Sequence, residues 1–226
     1  MIRTSNILPF LKKLPNSIQK LDFHSGGMPA NAWQQFLENL TDVFPSLETL
    51  IFSPRWQMET LTDDGRSVEP HLYLTSVPNL KTLVWPYPPQ ASFTSNLGRL
   101  RNLEVLEIPN WGVNSQNALN AFMNGLKSFQ KLSVLNVGNV LAAEDSPEAG
   151  EWVTWFAQEA PNSLKTLKLD LSSLSQSDRD SLKAAFEAEL PKTGIERLEI
   201  TKHSDQTFTL GPIKNKANKP ITVVFN

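Results

Sequence analysis

The sequence predicts an α/β solenoid, with a parallel sheet along a concave face and helices or loops along a convex one. Two observations predict it. A six-residue pattern, apolar-x-x-apolar-x-apolar, returns seven times along 226 residues, and four of the six segments between its copies carry apolar stripes at helical spacing. Strands place side chains on alternate faces with period two, whereas helices gather them with period 3.6, so the two periodicities assign the two element types. Parallel strands of one sheet need a crossover between them, and the helices supply it. Neither layer can bury its apolar side alone, so neighbouring units must stack.

One domain is expected over residues 1–226, with 1–17 a helical N-terminal cap, 18–202 seven repeats and 203–226 a C-terminal cap. The triplets are Ile18/Leu21/Phe23, Leu47/Leu50/Phe52, Leu80/Leu83/Trp85, Leu103/Leu106/Ile108, Leu132/Leu135/Val137, Leu164/Leu167/Leu169 and Ile195/Leu198/Ile200. Their middle residues are spaced by 29, 33, 23, 29, 32 and 31. A lead-in recurs before them, as in Pro45-Ser46-Leu47, Pro78-Asn79-Leu80, Arg101-Asn102-Leu103 and Pro161-Asn162-Ser163-Leu164.

The first helical stripe is Trp33, Phe36, Leu37, Leu40 and Phe44. Connections 53–79 and 86–100 break the rule. One contains Asp63-Asp64-Gly65 and Pro70, the other opens Pro86-Tyr87-Pro88-Pro89, and loops or brief turns are expected in both. Further stripes are Leu119, Phe122, Met123, Leu126 and Phe129, then Trp152, Trp155, Phe156 and Ala160, then Leu182, Phe186 and Leu190. Ser146-Pro147-Glu148 and Ser177-Asp178 supply start signals for the last two helices. Near the end, Ile221, Val223 and Phe225 alternate as an edge strand.

The hexads at this spacing resemble the leucine-rich repeat, whose units run to roughly 20–29 residues. The chain is similar to the ribonuclease-inhibitor-like, helix-containing type over about residues 18–202, and that resemblance implies a horseshoe. The family usually places an asparagine three residues after the last strand leucine. Here those positions are Gly26, Arg55, Pro88, Trp111, Val140, Ser172 and His203, so the turns must be satisfied differently. Short, cysteine-free arrays of this kind loosely resemble repeat proteins of bacterial effectors, which act inside host cells.

Residues interleaved between the motif positions face away from the core. They form three ladders. The first is Lys20, Thr49, Thr82, Val105, Val134, Thr166 and Arg197. The second is Asp22, Ile51, Val84, Glu107, Asn136, Lys168 and Glu199. The third is His24, Ser53, Pro86, Pro109, Gly138, Asp170 and Thr201. An apolar centre with a charged border is the composition of a protein-binding surface. Arg55, Trp56, Tyr87 and Trp111, in the loops that leave the strands, are residue types that anchor interfaces. The expected protein-binding residues are therefore Ile51, Arg55, Trp56, Val84, Tyr87, Glu107, Trp111, Asn136 and Lys168. Strand propensity is the competing account of the valines and Ile51. Packing is the competing account of Trp56, Tyr87 and Trp111, and Trp33, Trp85, Trp152 and Trp155 read as core.

Composition narrows the function classes. The chain has no cysteine, a formal net charge of −2 and 10 scattered glycines. Disulfides, thiolate metal sites and cysteine nucleophiles are excluded. No basic stripe invites nucleic acid; Lys12-Lys13 and Lys214/Lys216/Lys219 fall in the caps. His24 and His203, on the first and seventh strands, stand roughly 29 Å apart at six strand spacings. They cannot share a metal or a catalytic centre. No metalloprotease, phosphate-loop or nucleophile-elbow motif occurs. No apolar run reaches the roughly 20 residues of a membrane span. The sequence reads as a cytoplasmic protein-interaction module, neither an enzyme nor membrane-inserted, with no cofactor and with another protein as its partner. Delivery into a host cell fits the same reading. The alternative is an enzyme or enzyme subunit with a site in the 53–79 connection or the C-terminal cap.

Overall fold

The computed structural model describes residues 8–24, 26–28, 30–53, 56–58, 77–86, 99–109, 116–138, 149–202 and 208–226. Its elements in chain order are α1 (Leu8–Leu11), β1 (Lys20–Phe23), β2 (Gly26–Met28), α2 (Ala30–Glu38), α3 (Leu40–Val43), β3 (Thr49–Phe52), β4 (Trp56–Met58), β5 (Thr82–Val84) and β6 (Val105–Ile108). There follow α4 (Gln116–Leu126), β7 (Val134–Val137), α5 (Ala149–Glu159), β8 (Thr166–Asp170), α6 (Gln176–Glu189), a 3₁₀ turn (Leu190–Lys192), β9 (Arg197–Thr201) and β10 (Thr222–Phe225).

Eight strands form one open sheet in the order β1-β3-β5-β6-β7-β8-β9-β10, and every pairing is parallel. The seven hexads thus lie side by side in chain order. Their middle leucines are register partners: Leu21, Leu50, Leu83, Leu106, Leu135, Leu167 and Leu198 form one column. From Leu50 to Leu198 this column is wholly buried, while Leu21 at the edge is only partly covered. The third column starts with aromatic rings: Phe23 stacks on Phe52 at 5.1 Å, and Phe52 meets Trp85 edge-on at 5.6 Å. Large rings fill the space beside an edge strand that has a neighbour on one side only.

Register is fixed at the strand entrances. The Gln19 carbonyl accepts from both the Glu48 and Thr49 amides, each at 2.9 Å. The same double bond recurs at the carbonyls of Glu48, Lys81, Glu104, Ser133 and Lys165. Each lead-in is a turn closed onto the first apolar residue of its hexad, from Pro15 to Ile18, Phe44 to Leu47, Val77 to Leu80, Leu100 to Leu103 and Pro161 to Leu164. Two lead-in asparagines tie successive turns together. The Asn79 side-chain amide donates to the Pro45 carbonyl at 3.1 Å, and Asn102 donates to Pro78 at 2.8 Å. These side chains satisfy turn carbonyls that water would otherwise have to serve.

Helix residues Phe36, Leu37, Leu40, Phe122, Met123, Leu126, Trp152, Phe156, Leu182 and Phe186, with Phe44 at the end of α3, share one buried cluster with the hexad residues. No ladder residue belongs to it. The helices therefore cover the motif face of the sheet and leave the first two ladders outside the core, while Pro86 and Gly138 of the third are buried. The first stripe is divided at Asn39, whose side-chain amide donates to the Gln35 carbonyl at 2.8 Å, a local competition that asparagine favours.

Three expectations are corrected in detail. Trp56 does not sit in a loop: β4 pairs parallel with β2 in a separate two-stranded sheet, with Gly26 opposite Trp56 and Met28 opposite Met58. The first two units leave the main sheet at matching places, so each gives the other a backbone partner. The cap of α6 is Ser175, not Ser177, because its Oγ accepts from the Asp178 amide at 3.2 Å and only that residue has the three-residue reach. The N-terminal cap contains the short helix α1 and then turns. The edge strand expected near the C-terminus is present as β10, the eighth parallel strand, with Thr222 opposite Arg197 and Phe225 opposite Ile200.

Buried Asn215 holds that last strand in place. Its Nδ2 donates to the Ile195 carbonyl at 3.0 Å, and its Oδ1 accepts from the Ala217 and Lys219 amides at 3.0 and 3.1 Å. Asn218 closes the turn at φ 60°, a left-handed conformation that asparagine tolerates.

Candidate functional site

Parallel pairing at constant register turns the interleaved positions into continuous rows. Ile51, Val84, Glu107, Asn136 and Lys168 stand on β3, β5, β6, β7 and β8, each the direct partner of the next. Five of the nine expected binding residues are thus one unbroken row, and all five are half-buried. Glu199 and Val224 continue it to the sheet edge. In the neighbouring row Thr49, Thr82, Val105, Val134 and Thr166 are half-buried, and Lys20 at one end and Arg197 and Thr222 at the other are exposed.

Trp56 lies on β4 in the small sheet, apart from these rows. Arg55, Tyr87 and Trp111 lie outside the described residues, as do His71, His203, Ser146-Pro147-Glu148 and most of the 53–79 connection. The described part of the site is the ladder face itself.

The face divides chemically. Across β3 to β7 it carries Ile51, Val84, Val105 and Val134, among threonines. Across β6 to β9 it carries charge. The Lys168 ammonium lies 3.7 Å from both Glu107 Oε1 and Glu199 Oε2, beyond ordinary hydrogen-bond length to either. Arg197 Nε donates to Glu199 Oε1 at 2.6 Å. This bond, with the Lys168 charge behind it, holds the Glu199 carboxyl below its ordinary pKa of 4.5. At the opposite edge Asp22 lies 3.2 Å from Lys20 and 3.5 Å from His24. At the strand entrances Lys81 donates to Glu48 at 2.8 Å, which raises the Lys81 pKa, and Lys165 pairs with Glu196 at 3.1 Å.

The lowered pKa of Glu199 has a pH consequence. Its charged form is favoured by folding, so its contribution is complete above the ordinary carboxylate value and is lost as pH falls through the lowered one. Glu199→Gln is expected to flatten the acid limb of stability, with a small amplitude because solvent screens the pair. Urea midpoints measured across that pH range should separate the variant from the wild type, and superimposable acid limbs would refute the assignment.

Sequence reasoning missed one feature. A cleft of about 160 Å³ opens at the C-terminal ends of β7, β8 and β9, lined among others by Asn136, Gly138, Lys168, Asp170, Glu199 and Thr201. Its one signal in the sequence was the glycine at 138, between Pro109 and Asp170 in the third ladder.

Neither protein-family models nor curated proteins give a match to this chain. Among the described residues no helix is long and apolar enough to cross a membrane.

Proposed function

We propose that the chain is a leucine-rich-repeat horseshoe that binds another protein through the ladder face, which is then its concave face. The observation that carries this reading is the unbroken row Ile51–Val84–Glu107–Asn136–Lys168, half-buried and outside the core. The row runs from apolar side chains into charged ones. Apolar surface at the centre supplies desolvation energy, and charged groups around it supply orientation and selectivity. Arg55, Trp56, Tyr87 and Trp111 follow β3, β5 and β6 in the chain and join the reading as anchors by residue type and position in sequence. A cysteine-free module of this kind suits the inside of a cell, either its own or a host cell into which it is delivered.

The test is affinity capture from source and host lysates with wild-type protein and with a Val84→Arg/Val105→Arg variant. Both substitutions point away from the core, so the variant should keep the wild-type melting curve. It is expected to lose a specific partner by at least about tenfold, the least that a central anchor contributes. A control substitution on the helix side, Asn124→Arg, should retain that partner. A folded ladder-face variant that captures every wild-type partner at full strength would sink the reading.

A further inference from the structure

We propose that the cleft at Gly138 is a subsite for one cationic side chain, lysine or arginine, of the partner that lies on the ladder face. The inference rests on the reading of that face as the binding face and names the chemistry recognised at one end of it.

The cleft lies beside a glycine. In the third ladder Pro109 precedes Gly138 and Asp170 follows it, and all three line the cleft. A Cβ built at Gly138 would fall 1.8 Å from the Pro109 carbonyl oxygen, so the position cannot be filled. The volume of about 160 Å³ is room for several waters. That holds a head group and its last methylenes. It is too small for a drug-sized ligand or nucleotide, whose sites run to roughly 300–1,000 Å³.

The charges then select the head group. Glu107, Asp170 and Glu199 are acidic, and Lys168 and Arg197 are basic. Arg197 is committed to Glu199 at 2.6 Å, and Lys168 is shared at 3.7 Å between Glu107 and Glu199. Asp170 is left over. Its Oδ1 accepts from the Ser172 amide at 2.9 Å, and it makes no ion pair among the described residues. A carboxylate without a counter-ion among the described residues thus lines the cleft beside Asn136 and the Thr201 hydroxyl, both able to accept from an ammonium or guanidinium. An anionic side chain would meet Asp170 and Glu199, and an apolar one would leave Asp170 without a counter-charge.

The experiment needs no knowledge of the partner. The full chain, labelled with ¹⁵N, is titrated with N-acetyl-lysine amide, N-acetyl-arginine amide, and the norleucine and glutamate analogues. The two cations are expected to shift the Gly138, Asp170 and Thr201 amides saturably. Dissociation constants on the order of 1–10 mM are the usual limit for ligands this small. Asp170→Asn keeps an oxygen for the Ser172 amide and removes the charge. It should weaken cation binding by at least about tenfold, the loss expected for a charge-assisted hydrogen bond, with amide shifts elsewhere unchanged. Three outcomes overturn the proposal: no saturable shift at these amides, equal shifts from norleucine, or undiminished binding in Asp170→Asn. None depends on partner capture. A failed titration beside a successful Val84→Arg/Val105→Arg result removes the subsite alone, and the reverse result removes the partner reading alone.

Discussion

Gly138→Ala is expected to destabilise the protein by more than about 3 kcal/mol, above the usual 1–3 kcal/mol of overpacking. Overpacking stays within that range when side chains can shift aside. Here the obstacle is backbone: the new methyl would lie 1.8, 2.4 and 2.9 Å from the oxygen, carbon and Cα of Pro109. The strand cannot move away, because the Gly138 amide donates to the Ile108 carbonyl at 3.0 Å and its own carbonyl accepts from Asp170 at 3.4 Å. Relief requires the fourth and fifth units to separate, which exposes columns buried on both sides. A loss of this size is a large share of the roughly 5–15 kcal/mol that stabilises a typical domain. Gly194→Ala is the matched control: its Cβ would meet the Asn162 oxygen at 3.4 Å, and a change within about 1 kcal/mol is expected. Urea unfolding of both variants checks the pair. A Gly138→Ala protein as stable as wild type would show that the units do not approach this closely.

The sheet was legible because its signal is local and repeated. Each hexad fixes which residues face the core, and constant pairing register follows once Leu50, Leu83 and Leu106 must share one column. The helices at 116–126, 149–159 and 176–189 were legible for the same reason, through stripes of period 3.6. The pairing of β2 with β4 was not. Gly26-Gly27-Met28 reads as a turn, and only the matching position of Trp56-Gln57-Met58 in the next unit gives it a strand partner. That is long-range information, absent from either segment alone. The cap at Ser175 was missed because a seryl signal stood at both 175 and 177, and only geometry decides which oxygen reaches the Asp178 amide. The row of candidate binding residues was readable from alternation. The cleft was not, because it depends on how closely Pro109 approaches Gly138 and on which of five neighbouring charges are already paired.

The assignment of faces is tested most sharply by two adjacent residues on one strand. Leu106→Ala is expected to cost about 3–5 kcal/mol, in the upper part of the range for buried leucines. Leu106 is wholly buried, with Leu83 and Leu135 as its register partners. Ladder hydrogen bonds hold the backbone on both sides, so the cavity cannot collapse. Val105→Ala, one residue earlier, should cost less than about 1.5 kcal/mol, because its side chain lies on the ladder face and keeps contact with solvent. Strand side chains have a period of two, so a slip of one residue would exchange the two results. Leu21→Ala, in the same column at the edge strand, should fall between them, since Leu21 is only partly buried. The order Leu106, Leu21, Val105 in falling cost is therefore a signature of parallel strands stacked with one face closed by helices and the other left open. A Val105→Ala loss equal to that of Leu106→Ala would mean that both faces are packed. The row from Ile51 to Lys168 would then be core, with no surface there to offer a partner.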